Sequence, residues 1–269
     1  MPKDRVSKTD LEDLLDQALA STFPASDPVS FTSTAIPITD NAGEAPMPKA
    51  TAKAKNDGRK PCKLYGASGG GSMIVEAAFG FTKLPVEFVD VPWEDTGWNS
   101  KALKKINPLG QVPTLILPDG TVMTESAAII LHLADKVPGL ELVPAPDHAK
   151  RAAFLRWLVF LVAAIYPTFT YGDVTERWVG ATHKEGAGKA LREGTDEHRK
   201  MLWRFVESQV RGPWFLDKTF SALDLYIWMM MKWRPGGDWF KAECPKLHKI
   251  GAAMNDHPVC KKAMARNKL

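Results

Sequence analysis

The sequence predicts an α/β domain followed by an all-helical domain, with a largely disordered tail ahead of both. Three observations predict it. Residues 62 to about 142 alternate strand-like and helix-like runs and end in a tight hairpin. From about Asp147 onward no strand-like alternation appears and helical periodicity is frequent. Residues 1 to about 60 are dominated by Ser, Thr, Pro, Ala and Lys, with few large apolar side chains after Phe31. The expected boundaries are 1–61, 62–144 and 145–269.

Within the tail, Thr9 and Glu12 form a T-x-x-E capping box, and Leu11, Leu14, Leu15, Ala18 and Leu19 share one helical face. A short amphipathic helix over Thr9–Ser21 is expected, stopped by Phe23-Pro24. An isolated helix of that length is marginal, so it needs a surface to dock on. Lys63 to Tyr65 then opens the first strand, and Gly66 to Gly71 is a loop. Ser72 to Lys83 is an apolar-faced helix, Val86 to Val91 the second strand, and Asn99 to Lys105 a short helix. Thr114–Leu117 and Thr121–Thr124 are strands joined by Pro118-Asp119-Gly120, which has a preset φ, a local acceptor and a φ > 0 residue for the turn. Glu125-Ser126 precede a helical run. Strands joined by a helix pair in parallel with a right-handed crossover and the hairpin is antiparallel, so the sheet has four strands of mixed sense. In the helical domain, Ser221 caps a helix with Asp224 reaching back from its third position, and Phe220 and Leu225 staple it.

Composition excludes several function classes. The chain is 45% hydrophobic and 25% charged with a net charge of +4, ordinary for a globular protein, and no basic run carries interleaved aromatics for nucleic acid. Cys62, Cys244 and Cys260 are too scattered for a disulfide framework or a metal site, so a reduced, cytoplasmic setting is expected. The longest apolar run, Trp157–Ile165, is too short to span a bilayer, so no membrane insertion is expected. The absence of C-x-x-C, and Cys62 preceding the first strand, argue against an enzyme using its own thiol. The nine tryptophans fall mostly after Trp157 and suit a bulky core, with an aromatic pocket for an apolar ligand as the alternative.

The segment Asn107–Ala128, NPLGQVPTLILPDGTVMTESAA, carries the chemistry. Pro113 stands where a strand begins and a missing N–H does least harm. With a cis bond there, the Val112 backbone turns outward as a donor and acceptor pair that an extended peptide can join like another strand. A helix starting at Glu125-Ser126 offers amides to a ligand carboxylate, and Glu125 suits a ligand ammonium. The implied ligand is a short, extended, zwitterionic peptide.

These residues resemble the glutathione transferase family, over about Lys63 to the C-terminus. The resemblance implies a thioredoxin-like first domain, with Gln111, Val112, Pro113, Glu125 and Ser126 binding glutathione. It implies a detoxifying transferase in which the glutathione thiolate attacks an apolar electrophilic small molecule, as a homodimer, with glutathione as co-substrate and no cofactor or metal. A thiol with pKa near 8.5 needs a hydrogen-bond donor and a helix N-terminus to ionise at neutral pH. The family places its activating Tyr, Ser or Cys in the loop Ala67–Ser72. An ungapped match to the bacterial cysteine class puts Gly71 at the Cys and Ser72 beside it. A match to serine classes of plant type puts Ser68 there. Ser72 is preferred, because the helix start adds a dipole to the hydroxyl. Two other readings stand beside the transferase: a non-catalytic glutathione-fold binding or regulatory module, and a disulfide reductase or peroxidase that uses bound glutathione without a protein cysteine.

Overall fold

A computed structural model describes residues 60–95, 101–137, 140 and 142–269. The expected tail and its helix Thr9–Ser21 lie outside the described residues, as do positions 99 and 100 of the expected short helix. The remainder of that helix is a 3-10 turn, Leu103–Lys105.

Strand β1 (Cys62–Gly66) begins at Cys62 itself, one residue before the expected Lys63, because Cys62 already pairs with Val86; it buries Cys62 and Leu64 and exposes Lys63, the alternation of a half-buried strand. Helix α1 (Ser72–Thr82) crosses to β2 (Val86–Asp90), which pairs with β1 in parallel, Leu64 opposite Phe88. Strands β3 (Thr114–Ile116) and β4 (Val122–Met123) form the expected hairpin, and β3 pairs antiparallel with β1. The sheet order is β2-β1-β3-β4. Helix α2 (Ser126–Lys136) follows β4, and its Ile129, Ile130 and Leu133 join Ile74 and Ala78 of α1 in the core beside Leu64 and Leu115. This is the thioredoxin-like arrangement the resemblance implied.

The antiparallel pairings bring the segments expected to form the site to one end of the sheet. Tyr65 lies opposite Thr114, and Leu115 opposite Met123. The end of β1, the start of β3 and the end of β4 therefore meet at one edge. The loop Ala67–Gly71, the Val112–Pro113 turn and Glu125-Ser126 all leave the sheet there.

The helical part begins with α3, continuous from Arg151 to Asp173. Its 23 residues, with a mean hydropathy of 1.7 over an 18-residue stretch, are long and apolar enough to cross a membrane, contrary to the expectation from the run Trp157–Ile165. The difference arises because Pro167 does not end the helix. A π turn, Leu161–Ile165, precedes it, with the Tyr166 N–H donating to the Leu161 carbonyl, and absorbs the lost donor. Phe154, Trp157, Leu161, Ile165 and Phe169 of α3 are buried in the helical core.

Helix α4 (Glu176–Val179) and short turns lead to α5 (Lys189–Ser208), whose buried Arg199, Leu202, Trp203 and Val206 recur at helical spacing. Helix α6 (Ala222–Met230) is apolar almost all round and wholly buried. It begins with the expected box: Asp224 accepts from the Ser221 N–H at 2.8 Å, and Ser221 Oγ accepts from the Leu223 N–H at 3.3 Å. Phe220 and Leu225 are both buried beside it. Helices α7 (Gly237–Glu243), α8 (Pro245–Asp256) and α9 (Pro258–Asn267) complete the chain. Trp157, Trp203, Trp214 and Trp228 are core residues, as the bulky-core reading expected.

Candidate functional site

The β1–α1 loop is held from several directions. Gly69 takes φ 73°, a conformation glycine adopts freely, and the Gly70 N–H donates back to the Ala67 carbonyl at 3.0 Å. Asn267, near the C-terminus, accepts the Gly69 N–H on Oδ1 at 3.0 Å, and its carbonyl accepts the Ser68 hydroxyl at 2.9 Å. Two indoles donate to the same loop, Trp93 to the Ser68 carbonyl at 2.8 Å and Trp233 to the Gly69 carbonyl at 2.9 Å. Ser72 is buried. Its Oγ accepts from the Ala67 N–H and donates to the Ala67 carbonyl, each at 3.2 Å, closing the loop across its base. The N-cap position of α1 belongs to Gly71, which has no side chain to cap with.

The Val112–Pro113 peptide is cis. Asn107, itself buried, organises the segment before it: its amide donates to the Gln111 carbonyl at 3.1 Å and to Thr114 Oγ1 at 3.0 Å, while its Oδ1 accepts from the Leu109 N–H. The Thr114 hydroxyl donates to the same Gln111 carbonyl at 2.7 Å. With that carbonyl turned inward, the Val112 N–H and C=O have no partner among the described residues. Pro113 is buried at the foot of β3, and Gln111 is exposed at the rim.

Glu125 is exposed with φ 62° and ψ 104°, a backbone that costs a residue with a side chain about 1–3 kcal/mol. It is the N-cap of α2, and its carbonyl accepts the Ile129 N–H at 3.0 Å. The carboxylate is thereby presented to solvent at the end of the sheet. Ser126 opens the helix, and its Oγ lies 2.6 Å from the hydroxyl of Tyr226 on α6. Burial, then the nearby Tyr166 and Glu125, push the Tyr226 phenol above its ordinary range, so it stays protonated.

The expected residues therefore gather in two groups at one sheet end: Gln111, Val112 and Pro113 with Glu125 and Ser126, and Ser68 and Ser72 in the adjoining loop. Sequence reasoning passed over Asn107, Tyr166, Tyr226, Trp233 and Asn267. The Asn-Pro-Leu-Gly turn was a signal for Asn107, and Tyr166-Pro167 inside an apolar helix was one for Tyr166. Nothing local marked the other three.

The cysteines make none of these contacts. All three are buried, and burial raises each thiol, those of Cys244 and Cys260 to about 12. A thiol held that high is a poor nucleophile at neutral pH.

Residues 72–136 match the family described as glutathione S-transferase, N-terminal domain. The chain is 36% identical over 209 residues to the uncharacterized GST-like protein YncG of Escherichia coli (strain K12), covering 77% of this chain and 98% of that one. It is 28% identical over 131 residues to the glutathione S-transferase GstA of Escherichia coli O157:H7, covering 48% and 59%. Among solved structures it resembles a glutathione transferase homologue from Sulfitobacter with bound glutathione, at 24% identity and a TM-score of 0.66, over 78% of this chain and 99% of that one. With a relative so similar over nearly its whole length, and with the same fold, the chain belongs to the glutathione S-transferase family.

Proposed function

We propose that the protein is a glutathione transferase. The observation that carries the reading is the juxtaposition of the unpartnered Val112 backbone with the exposed Glu125 carboxylate and the α2 start at Ser126. An extended tripeptide joins Val112 as an added strand edge, with Gln111 and Pro113 flanking it. Its γ-glutamyl ammonium meets Glu125, and its γ-glutamyl carboxylate meets Ser126 and the first amides of α2. The glutathione bound in the Sulfitobacter homologue supports this reading.

The cysteinyl sulfur then faces the start of α1, where Ser72 and Ser68 are the two loop hydroxyls. The thiol proton leaves to water, and a sulfur lone pair forms the S–C bond as the leaving group departs with its bonding electrons. The co-substrate is an apolar electrophile, which makes the activity detoxifying. No cofactor or metal is needed, and the setting is cytoplasmic.

The binding-module reading is favoured by one observation, that Ser72 and Ser68 both already donate to carbonyls. A disulfide reductase or peroxidase would have to use bound glutathione, given the high thiol values of the protein's own cysteines. Glu125→Ala is expected to weaken glutathione binding by about 1–3 kcal/mol through loss of a charge-assisted hydrogen bond. Calorimetry showing unchanged affinity would count against the site.

The division at 62–144 and 145–269 and the homodimer belong to the same proposal. Val159 on α3 is 59% exposed, beside Ala163, an apolar surface of the kind a twofold partner covers. A chain of residues 62–269 is expected to fold, bind glutathione and sediment as a dimer. Loss of solubility or of binding would move the boundary, and a monomer in both full-length and shortened forms would refute the dimer.

A further inference from the structure

We infer that Tyr166, reaching over from the helical domain, is the catalytic residue that hydrogen-bonds the glutathione thiolate. The inference rests on the glutathione reading above and names the donor that reading requires.

Place comes first. Gly71 stands at the N-terminus of α1, the end toward which a ligand thiol must point to gain from the helix dipole. A Cβ built on Gly71 would fall inside the Tyr166 hydroxyl. The phenol therefore occupies the space that a side chain at position 71 would occupy, and only glycine admits it. The hydroxyl that position 71 lacks is supplied by another element.

Availability comes second. Of the three hydroxyls near the loop, Ser72 donates to the Ala67 carbonyl and Ser68 to the Asn267 carbonyl. Tyr166 has no hydrogen-bond partner among the described residues. Its proton is free for a ligand without breaking an internal bond.

Placement has a visible cause in the chain. The π turn Leu161–Ile165 adds a residue to the helix just ahead of Tyr166 and so rotates its direction relative to an unbroken α-helix. The ring is then packed edge-on against Trp233 at 5.5 Å between centroids and against Phe169 at 6.4 Å. Trp233 is itself anchored by its indole N–H to the Gly69 carbonyl. The loop and the phenol are thus set relative to each other through one side chain, which makes Trp233 a positioning residue.

The electrostatics suit a donor. Burial, followed by the Glu125 and Asp173 carboxylates, pushes the Tyr166 phenol well above its ordinary value. The O–H therefore stays intact at any working pH, and Tyr166 stabilises a thiolate by donation without taking its proton. The thiol proton passes to water, the sulfur keeps its lone pair for attack on the electrophile, and the phenol ends the cycle unchanged.

The test uses the full chain and its Tyr166→Phe variant, which keeps the ring and removes only the oxygen. Calorimetry establishes glutathione binding, ultraviolet difference titration follows the bound thiolate, and an activated aryl chloride reports conjugation. In the wild-type protein the bound thiol is expected to ionise well below the free value near 8.5, and in the variant to return toward it. Glutathione affinity should stay within a factor of a few, and kcat at neutral pH should fall on the order of 100-fold. Gly71→Ala, whose Cβ displaces the phenol, is expected to reproduce the titration shift. Identical titration curves and rates for wild type and Tyr166→Phe, with binding retained, would overturn the assignment and leave the glutathione reading standing. The same holds if Ser72→Ala moves the titration and Tyr166→Phe does not. Absence of glutathione binding by the wild-type protein would remove both.

Discussion

Asp224→Ala is expected to destabilise the protein by about 3 kcal/mol, measured as a lowered urea midpoint with an unchanged slope. The Asp224 carboxylate is wholly buried at the start of α6 and accepts from the Phe215 N–H at 2.8 Å, the Ser221 N–H at 2.8 Å and the Ser221 hydroxyl at 3.2 Å. Alanine leaves two main-chain donors unpaired, one of them in the strap that leads into the most buried helix of the molecule. Ser221→Ala removes the acceptor of the Leu223 N–H and one of the three donors to the Asp224 carboxylate, but leaves both main-chain donors paired, and should cost about 1 kcal/mol. Equal losses for the two would mean that the box acts only as a cap and does not anchor the strap. Burial also raises the Asp224 carboxyl to about 7, against the hydrogen bonds that lower it. Because the folded chain then holds that proton more tightly than the unfolded chain, this group's contribution is full below the ordinary carboxylate range. It fades as pH rises through about 7. The variant should lose that part of the pH dependence.

Arg199 gives the second large effect, with an unusual dependence on what replaces it. Its side chain is fully buried in α5, pairs with Asp196 and lies over the Phe169 ring at 4.1 Å, while Nε and Nη1 have no hydrogen-bond partner among the described residues. Burial lowers its pKa to about 10, which leaves it charged at neutral pH. Arg199→Ala opens a cavity under Phe169, one of the rings that packs Tyr166, and is expected to cost about 3 kcal/mol. Arg199→Met fills the same space with no charge to desolvate. Asp196 keeps Arg234 as a partner at 3.3 Å, so the Met variant should lie within about 1 kcal/mol of the wild type or above it. Thermal unfolding of the two variants side by side decides this. A Met variant as unstable as the Ala variant would show that the buried charge itself holds α5 in place.

Local signals carried much of this protein's architecture. The strand opening at Lys63–Tyr65, the Pro118-Asp119-Gly120 turn and the Ser221–Asp224 box each involve residues within a few positions of one another, so their physics is present in any short window. The Gln111–Pro113 and Glu125–Ser126 segments were readable for the same reason. A hairpin brings them to one sheet end, and hairpins are written in turn residues.

The allocation of hydroxyls was decided otherwise. Which acceptor Ser68 meets depends on Asn267, 199 residues away, and Ser126 meets Tyr226 across 100 residues. The helix from Arg151 to Asp173 runs on past Pro167 because a π turn forms where the surrounding core holds Ile165 and Phe169, an outcome no proline rule contains. Tyr166 reaches Gly71 only through that rotation and the packing of Trp233. By itself the sequence determined the order of elements and the meeting of the Val112 turn with Glu125-Ser126 at one edge of the sheet, because both follow from contacts close in the chain. Only the tertiary structure decided which hydroxyl is free beside that edge, because a hydroxyl gives its single proton to whichever acceptor distant packing brings within reach.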